Sequence, residues 1–179
     1  MKVFIAGPRS INNLNESVCK KLQNICSKNY EVLVGDAYGI DSCVQNFLSQ
    51  NNYNNVTVFA SGKSVRNNYG KWFVHNVEVD SSVKGFDFYA KKDLEMAKNA
   101  DIGFMIWNGE SKGTFNNIIN LLKMNKEVVL FYNANNCFYD FKNIDEFVDF
   151  CDSEIKIEGK LKRIINRFEC DKFVQVDLF

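Results

Sequence analysis

Hydrophobic and polar positions along this chain recur with two different periods, and the switches between them predict its elements. Apolar runs at Val3–Ala6, Val32–Val34, Val56–Phe59, Ile102–Ile106 and Val128–Tyr132 read as five short strands, each apolar on both faces. Between them, apolar residues return every three or four positions, as in amphipathic helices. Leu14, Val18, Leu22 and Ile25 form one such stripe, and Ile40, Val44, Phe47 and Leu48 a second. A third helix is predicted over Phe88 to Asn99 and a fourth over Phe115 to Met124, with Ile118, Ile119 and Leu122 on its buried face. Asn13 with Glu16 three residues on resembles a capping box for the first helix. Residues 63–87 carry no clean period although they hold Tyr69, Trp72 and Phe73. An unpatterned stretch of that length inside a domain is usually functional or mobile.

After Tyr132 the pattern changes. Asn143 with Glu146 opens a helix through Phe147, Val148 and Cys151, and Leu161, Ile164, Ile165 and Phe168 form an amphipathic stripe. Val174, Val176 and Leu178 alternate with polar residues as in a half-exposed strand. Together these signals predict an α/β fold in three layers: a mainly parallel five-stranded sheet of order 3-2-1-4-5, helices on both faces, and a C-terminal extension of helix and strand. The expectation is one domain over residues 1–179, with a core at 1–133 and the extension at 134–179. The stripe at Leu161–Phe168 and the last strand leave room for self-association or for packing within the monomer, where the tail would pair with the fifth strand.

Composition narrows the functional classes. The 22 basic residues are matched by 22 acidic ones, so no global field draws the chain to nucleic acid or to an anionic membrane. No apolar run approaches a bilayer span, and the opening Met1–Pro8 is too short in apolar residues for a signal peptide, so a cytoplasmic chain is expected. The six cysteines are widely spaced, and Cys26, Cys43 and Cys151 fall at apolar helical phases, as reduced thiols do. With His75 as the only histidine, no metal site and no resident cofactor are expected, and His75 itself reads as incidental.

The chemistry concentrates where strands end. Gly7-Pro8-Arg9-Ser10, Gly35-Asp36-Ala37-Tyr38-Gly39-Ile40-Asp41 and Trp107-Asn108-Gly109-Glu110-Ser111-Lys112-Gly113-Thr114 each follow a strand. In a sheet of the predicted order they meet at one carboxyl edge, at the switch in strand order where ligands bind. Bare amides at the start of a helix suit an anion, most often a phosphate. Gly109 and Gly113 would admit it closely, the Ser111 and Thr114 hydroxyls would donate to it, and Arg9 would add a planar fork. Asp36 would accept from a ribose or base edge, Asn117 would bond a ribose or base, and Tyr38 or Trp107 would stack on a purine. Each has a plainer alternative: glycines that only turn the chain, an Arg9 in a surface ion pair, aspartates that cap a helix, a Trp107 in the core, and Lys160, Lys162, Arg163 and Arg167 as a solvated helix face. The dinucleotide fingerprint Gly-x-Gly-x-x-Gly and the Walker A motif are both absent, which disfavours NAD-dependent redox chemistry and NTP hydrolysis.

Val34-Gly35-Asp36-Ala37-Tyr38-Gly39-Ile40-Asp41 resembles the Gly-Gly-Ala-x-Gly-Ile-Asp signature of the DNA-processing protein A family. Gly113-Thr114 resembles the Pro-Gly-Gly-x-Gly-Thr-x-x-Glu loop of the Lonely Guy phosphoribohydrolases and the Asp-x-Gly-Thr-x-x-Glu element of nucleoside 2-deoxyribosyltransferases; Ile5-Ala6-Gly7-Pro8-Arg9 fits as well. The resemblance spans roughly residues 1–133. It implies a Rossmann-like nucleotide-binding fold of the SLOG superfamily. Two departures stand out. The glutamate that carries or supports glycosidic chemistry in those enzymes is Asn117 here, and the transferases' acidic residue three before the threonine is Ser111. An amide is neither a carboxylate nucleophile nor a general base at neutral pH.

Three functions follow as expectations. The first is a binding or sensing protein for a nucleotide or nucleotide-derived molecule, such as a nucleoside monophosphate or an ADP-ribose-like compound. The second is an N-glycosidic hydrolase or transferase with Asp36, Asp93 or Glu110 as substitute acid. The third is single-stranded DNA handling, which the balanced charge disfavours.

Overall fold

Runs of β-branched and aromatic residues with no polar face need cover on both sides, and the chain supplies it by returning a helix after most strands. The computed structural model describes residues 1–155. In chain order these form β1 (Lys2–Ala6), α1 (Glu16–Ser27), β2 (Glu31–Gly35), α2 (Ile40–Gln50), β3 (Val56–Ser61), β4 (Phe73–Val77), α3 (Gly85–Asn99), β5 (Ile102–Trp107), α4 (Lys112–Lys123), β6 (Val128–Tyr132), β7 (Cys137–Phe141) and α5 (Ile144–Phe150), closed by a π-helical turn at Cys151–Ile155. The strands make one seven-stranded sheet of order β4-β3-β2-β1-β5-β6-β7. All neighbours are parallel except β6 and β7.

The five strands expected from sequence are β1, β2, β3, β5 and β6, and their relative order stands as expected. Two edge strands correct the count. β4 lies in the stretch that shows no period, because it is an edge with Phe73 72% exposed and only one neighbour to pack on. β7 follows β6 through an asparagine-rich turn with Asn136 at φ +58 and pairs antiparallel, Val128 opposite Phe141. It occupies the edge of β6, one of the places left open for the C-terminal tail. The stripe at 161–168, its basic cluster and the strand at 174–178 lie outside the described residues.

Two apolar layers follow. On one face α1 and α2 lay Val18, Leu22, Val44 and Leu48 over Val3, Ile5, Val32, Val34 and Phe104. On the other, α3, α4 and α5 lay Met96, Phe115, Ile118 and Phe147 over Phe4, Met105, Trp107 and Leu130. The cap of α1 is Asn15, whose side chain accepts from the Ser17 amide, two residues later than the expected Asn13. Asn143 caps α5 as expected and forms a reciprocal box: it accepts from the Glu146 amide at 2.9 Å, while Glu146 accepts from its side-chain amide and from the Lys142 amide. α3 starts at Gly85 and α4 at Lys112, each three residues before its first predicted residue. Cys151 is buried, Cys26 and Cys43 are half-buried, and all five described cysteines are free. His75 lies on β4 with its ring 4.7 Å from that of Phe59.

Residues 134–155 share the main core. Phe147 is fully buried with its ring 5.8 Å from Trp107, 5.5 Å from Phe115 and 5.3 Å from Phe141. Phe147→Ala is expected to cost about 3–5 kcal/mol in denaturant unfolding, the usual penalty for emptying an aromatic site. A loss below about 1 kcal/mol would show that α5 does not help to hold the sheet.

Candidate functional site

β1 and β5 are neighbours, so the loops after Ala6 and Trp107 leave the same carboxyl edge side by side. Between them and the first turns of α3 lies a cleft of about 840 Å³, within the range of small-molecule sites. Its lining includes Gly7, Pro8, Arg9 and Ser10 from the first loop and Asn108, Glu110, Ser111, Lys112, Gly113, Thr114 and Asn117 from the third. Ala37, Asp41 and the α3 residues Phe86, Tyr89, Lys92 and Asp93 also line it.

The third loop is organised by its own side chains. Asn108 Oδ1 accepts from the amides of Glu110 and Ser111, at 3.2 and 3.0 Å. Ser111 Oγ caps α4, accepting from the Thr114 amide at 3.4 Å and from the Thr114 hydroxyl at 3.1 Å. The Thr114 proton is thus spent inside the protein, whereas the Ser111 hydroxyl proton stays available to the cleft. The first helical bond of α4 is from Phe115 N to Ser111 O, which leaves the Lys112 and Gly113 amides as the open donors of the helix end. A Cβ at Gly113 would meet nothing within 4 Å, so protein packing does not require a glycine there. Asn117, one turn further on, is 5% exposed and its side-chain amide has no hydrogen-bond partner among the described residues. Its amide atoms are not closed off from solvent, so they face the cleft as free donor and acceptor that a polar ligand can use.

The second loop builds rather than lines. Gly39, at φ +79, passes so close to Arg9 and Pro8 that a Cβ would stand 2.5 Å from either backbone, and the Ile40 amide donates to Pro8 O at 3.2 Å. At Gly35 a Cβ would lie 2.3 Å from Asp41 Oδ2 and 2.5 Å from Lys92 Nζ. The bare Gly35 therefore makes room for a buried charge cluster. Lys92 Nζ sits 2.7 Å from Asp93 Oδ1 and 3.9 Å from Asp41 Oδ2, with its side chain 4% exposed. Burial works to lower the Lys92 pKa, but the Asp93 and Asp41 carboxylates outweigh it and the ammonium is held above its ordinary value. For Asp41 burial wins over Lys92, and its carboxyl is pushed up to about 6.

Several sequence candidates fall outside the cleft. Asp36 is buried and locked to Arg66, which donates from Nε at 3.0 Å, from its other guanidinium nitrogen and from its backbone amide. Burial would raise the Asp36 pKa, yet those bonds hold it below the usual carboxylate range. It orders residues 63–72 instead of meeting a ribose or acting as an acid. Trp107 is fully buried against Phe115, Tyr132 and Phe147, and its indole N–H donates to Ser111 O at 3.0 Å. It is core, not a stacking platform. Gly109, at φ +83, turns the chain against Tyr132, and Tyr38 is 65% exposed away from the cleft lining. The aromatic wall is Tyr89 with Phe86 instead, and Arg9 and Arg66 both lie over the Tyr89 ring, at 5.1 and 4.5 Å. These residues and Lys92 carry no motif; the helical spacing of 86, 89 and 93 was the available signal, hidden because the expected helix began at Phe88.

No protein-family model and no curated protein matches the sequence. Solved structures do resemble it. TM1055, a structural-genomics target, is 22% identical over 71% of each chain, with a TM-score of 0.52. DNA processing protein A from Helicobacter pylori, described for its single-stranded DNA binding mode, is 12% identical, with a TM-score of 0.58 over 96% of this chain and 81% of its own. These likenesses show a Rossmann-like fold, and the second neighbour belongs to a family whose signature the Gly35–Asp41 segment resembles.

Folding favours the protonated Asp41: its contribution is full below pH 3.8 and is lost as pH rises to about 6. Asp41→Asn, which cannot ionise, is therefore expected to gain on the parent by about 2 kcal/mol between pH 4 and 6.5 in paired urea titrations. A difference independent of pH would remove the argument for a strained carboxyl beside Lys92.

Proposed function

We propose that this chain binds a nucleotide or nucleotide-derived small molecule, a nucleoside monophosphate or an ADP-ribose-like compound, as a binding or sensing protein. The observation that carries the reading is the start of α4. Two open amides, a free Ser111 proton and the vacant flank of Gly113 adjoin the unpartnered Asn117 amide, all along one cleft. An oxyanion at the helix end with a hydroxylated group beside it satisfies both sets of polar atoms. No carboxylate stands at the Asn117 position to attack a glycosidic carbon, which favours retention of the ligand over its cleavage.

A second reading, N-glycosidic hydrolysis or transfer, draws on Asp93. Its carboxylate is tied to Lys92 at 2.7 Å, is 22% exposed and borders the cleft, as a fixed anion near a developing oxocarbenium charge would. Chromatography of nucleoside monophosphates incubated with the protein separates the two. Free base that disappears in Asp93→Asn or Glu110→Gln selects the enzyme, and intact nucleotide selects the binder. Single-stranded DNA binding has the neighbour's fold in its favour but a chain of net charge zero against it.

Gly113→Ala tests the leading reading without disturbing the fold. The added methyl enters empty space in a helix, so the melting temperature should hold or rise slightly. Titration calorimetry with AMP should then show affinity reduced by about tenfold or more, because the methyl occupies the phosphate's approach. Unchanged AMP affinity in a folded variant would place the anion elsewhere.

A further inference from the structure

Cations without partners are the least explained feature of the cleft. Lys92 is neutralised by Asp93 and Asp41, and Arg66 by Asp36. Arg9 and Lys112 have no ion pair among the described residues, and of the two Arg9 is the one held against an aromatic ring. Its guanidinium is parked over the Tyr89 ring at 5.1 Å, on the α3 side of the cleft, while the open amides of Lys112 and Gly113 lie on the α4 side. The Arg9 backbone is itself fixed, packed against Gly39. A guanidinium stacked on an aromatic face keeps its N–H edge free to point outward, and that edge matches two phosphate oxygens. The cleft therefore offers two anion-binding positions, Arg9 and the start of α4, with the unpartnered Asn117 amide beside the second.

We infer that the ligand carries two phosphate groups in one chain, a nucleoside diphosphate or its sugar ester rather than a monophosphate. One phosphate sits on the α4 amides and the Ser111 hydroxyl, and the other is held by Arg9. Glu110, exposed on the rim and without an ion pair among the described residues, is placed to accept from a ribose diol rather than to meet phosphate. A cleft of about 840 Å³ has room for the larger molecule. This inference rests on the nucleotide-binding reading and narrows it to one ligand class.

Titration calorimetry of the full chain with AMP and with ADP-ribose, repeated on Arg9→Ala, decides it. ADP-ribose should bind at least about tenfold tighter than AMP, and Arg9→Ala should erase most of that advantage while changing AMP affinity less than about twofold. Circular dichroism melting of Arg9→Ala should stay close to the parent, since Arg9 is exposed, makes no ion pair among the described residues and loses only its contact with the Tyr89 ring. Equal affinities for the two ligands, or an Arg9→Ala loss shared by both, would overturn the two-phosphate assignment and leave nucleotide binding in place. Failure of the parent to bind either ligand would remove the broader reading as well.

Discussion

A buried ammonium must be paired, and that requirement shapes the functional edge of this protein. Lys92 is held in a near-dry position between Asp93 and Asp41, and removing two or more charges from water costs several kcal/mol each unless their geometry compensates. Compensation requires the chain to come close, and it does so by leaving Gly35 without a side chain at the end of β2. The ion cluster thereby pins α3, carried on a long connection after the β4 edge, to the carboxyl end of β2. Once pinned, α3 presents Tyr89 and Asp93 to the space above β1 and β5. Together with the apolar packing of Met96 and Ala97, this anchor sets where α3 meets the sheet edge.

The three glycine-bearing loops then divide their work. The loop of Gly35–Asp41 is a foundation: Gln45 and Asn67 bond its carbonyls at 2.8 and 2.9 Å, and Gly39 props the loop of Pro8 and Arg9. The loops after β1 and β5 line the cleft. Their polar groups are sorted by whether the protein has already used them. Asn108 and Thr114 are spent on holding the loop, whereas Arg9, Asn117 and the α4 amides are not. In a chain with no net charge, attraction of an anion has to come from such local donors rather than from a long-range field.

Period and strand-end chemistry made the central sheet legible. β1, β2, β3, β5 and β6 are buried on both faces, so their apolar runs are continuous and their order follows from handed crossovers. The edges were less legible because an edge strand has fewer neighbours to impose a pattern. Phe73, exposed in β4, and Phe138, 39% exposed in β7, break the expected contrast of inside and outside. At the candidate site, motif spacing picked out two loops that line the cleft, but not which of their side chains the protein itself already engages. A motif tells which backbone turns, not which side chain has a partner. Asp36 has the type and place of a ribose ligand, yet Arg66, thirty residues on and in an unpatterned segment, claims it. Trp107 is likewise claimed by Phe147, from beyond the segment that the motifs cover.

The central claim is that the open helix end of α4 and the neighbouring Asn117 amide receive a phosphate-bearing ligand. Two-dimensional ¹H–¹⁵N NMR of the labelled chain, titrated with AMP, reads those nitrogens directly. The account predicts that the backbone amides of Lys112 and Gly113 and the side-chain amide of Asn117 shift together along one saturating curve. Shifts confined to other surfaces, with these three resonances still, would contradict it.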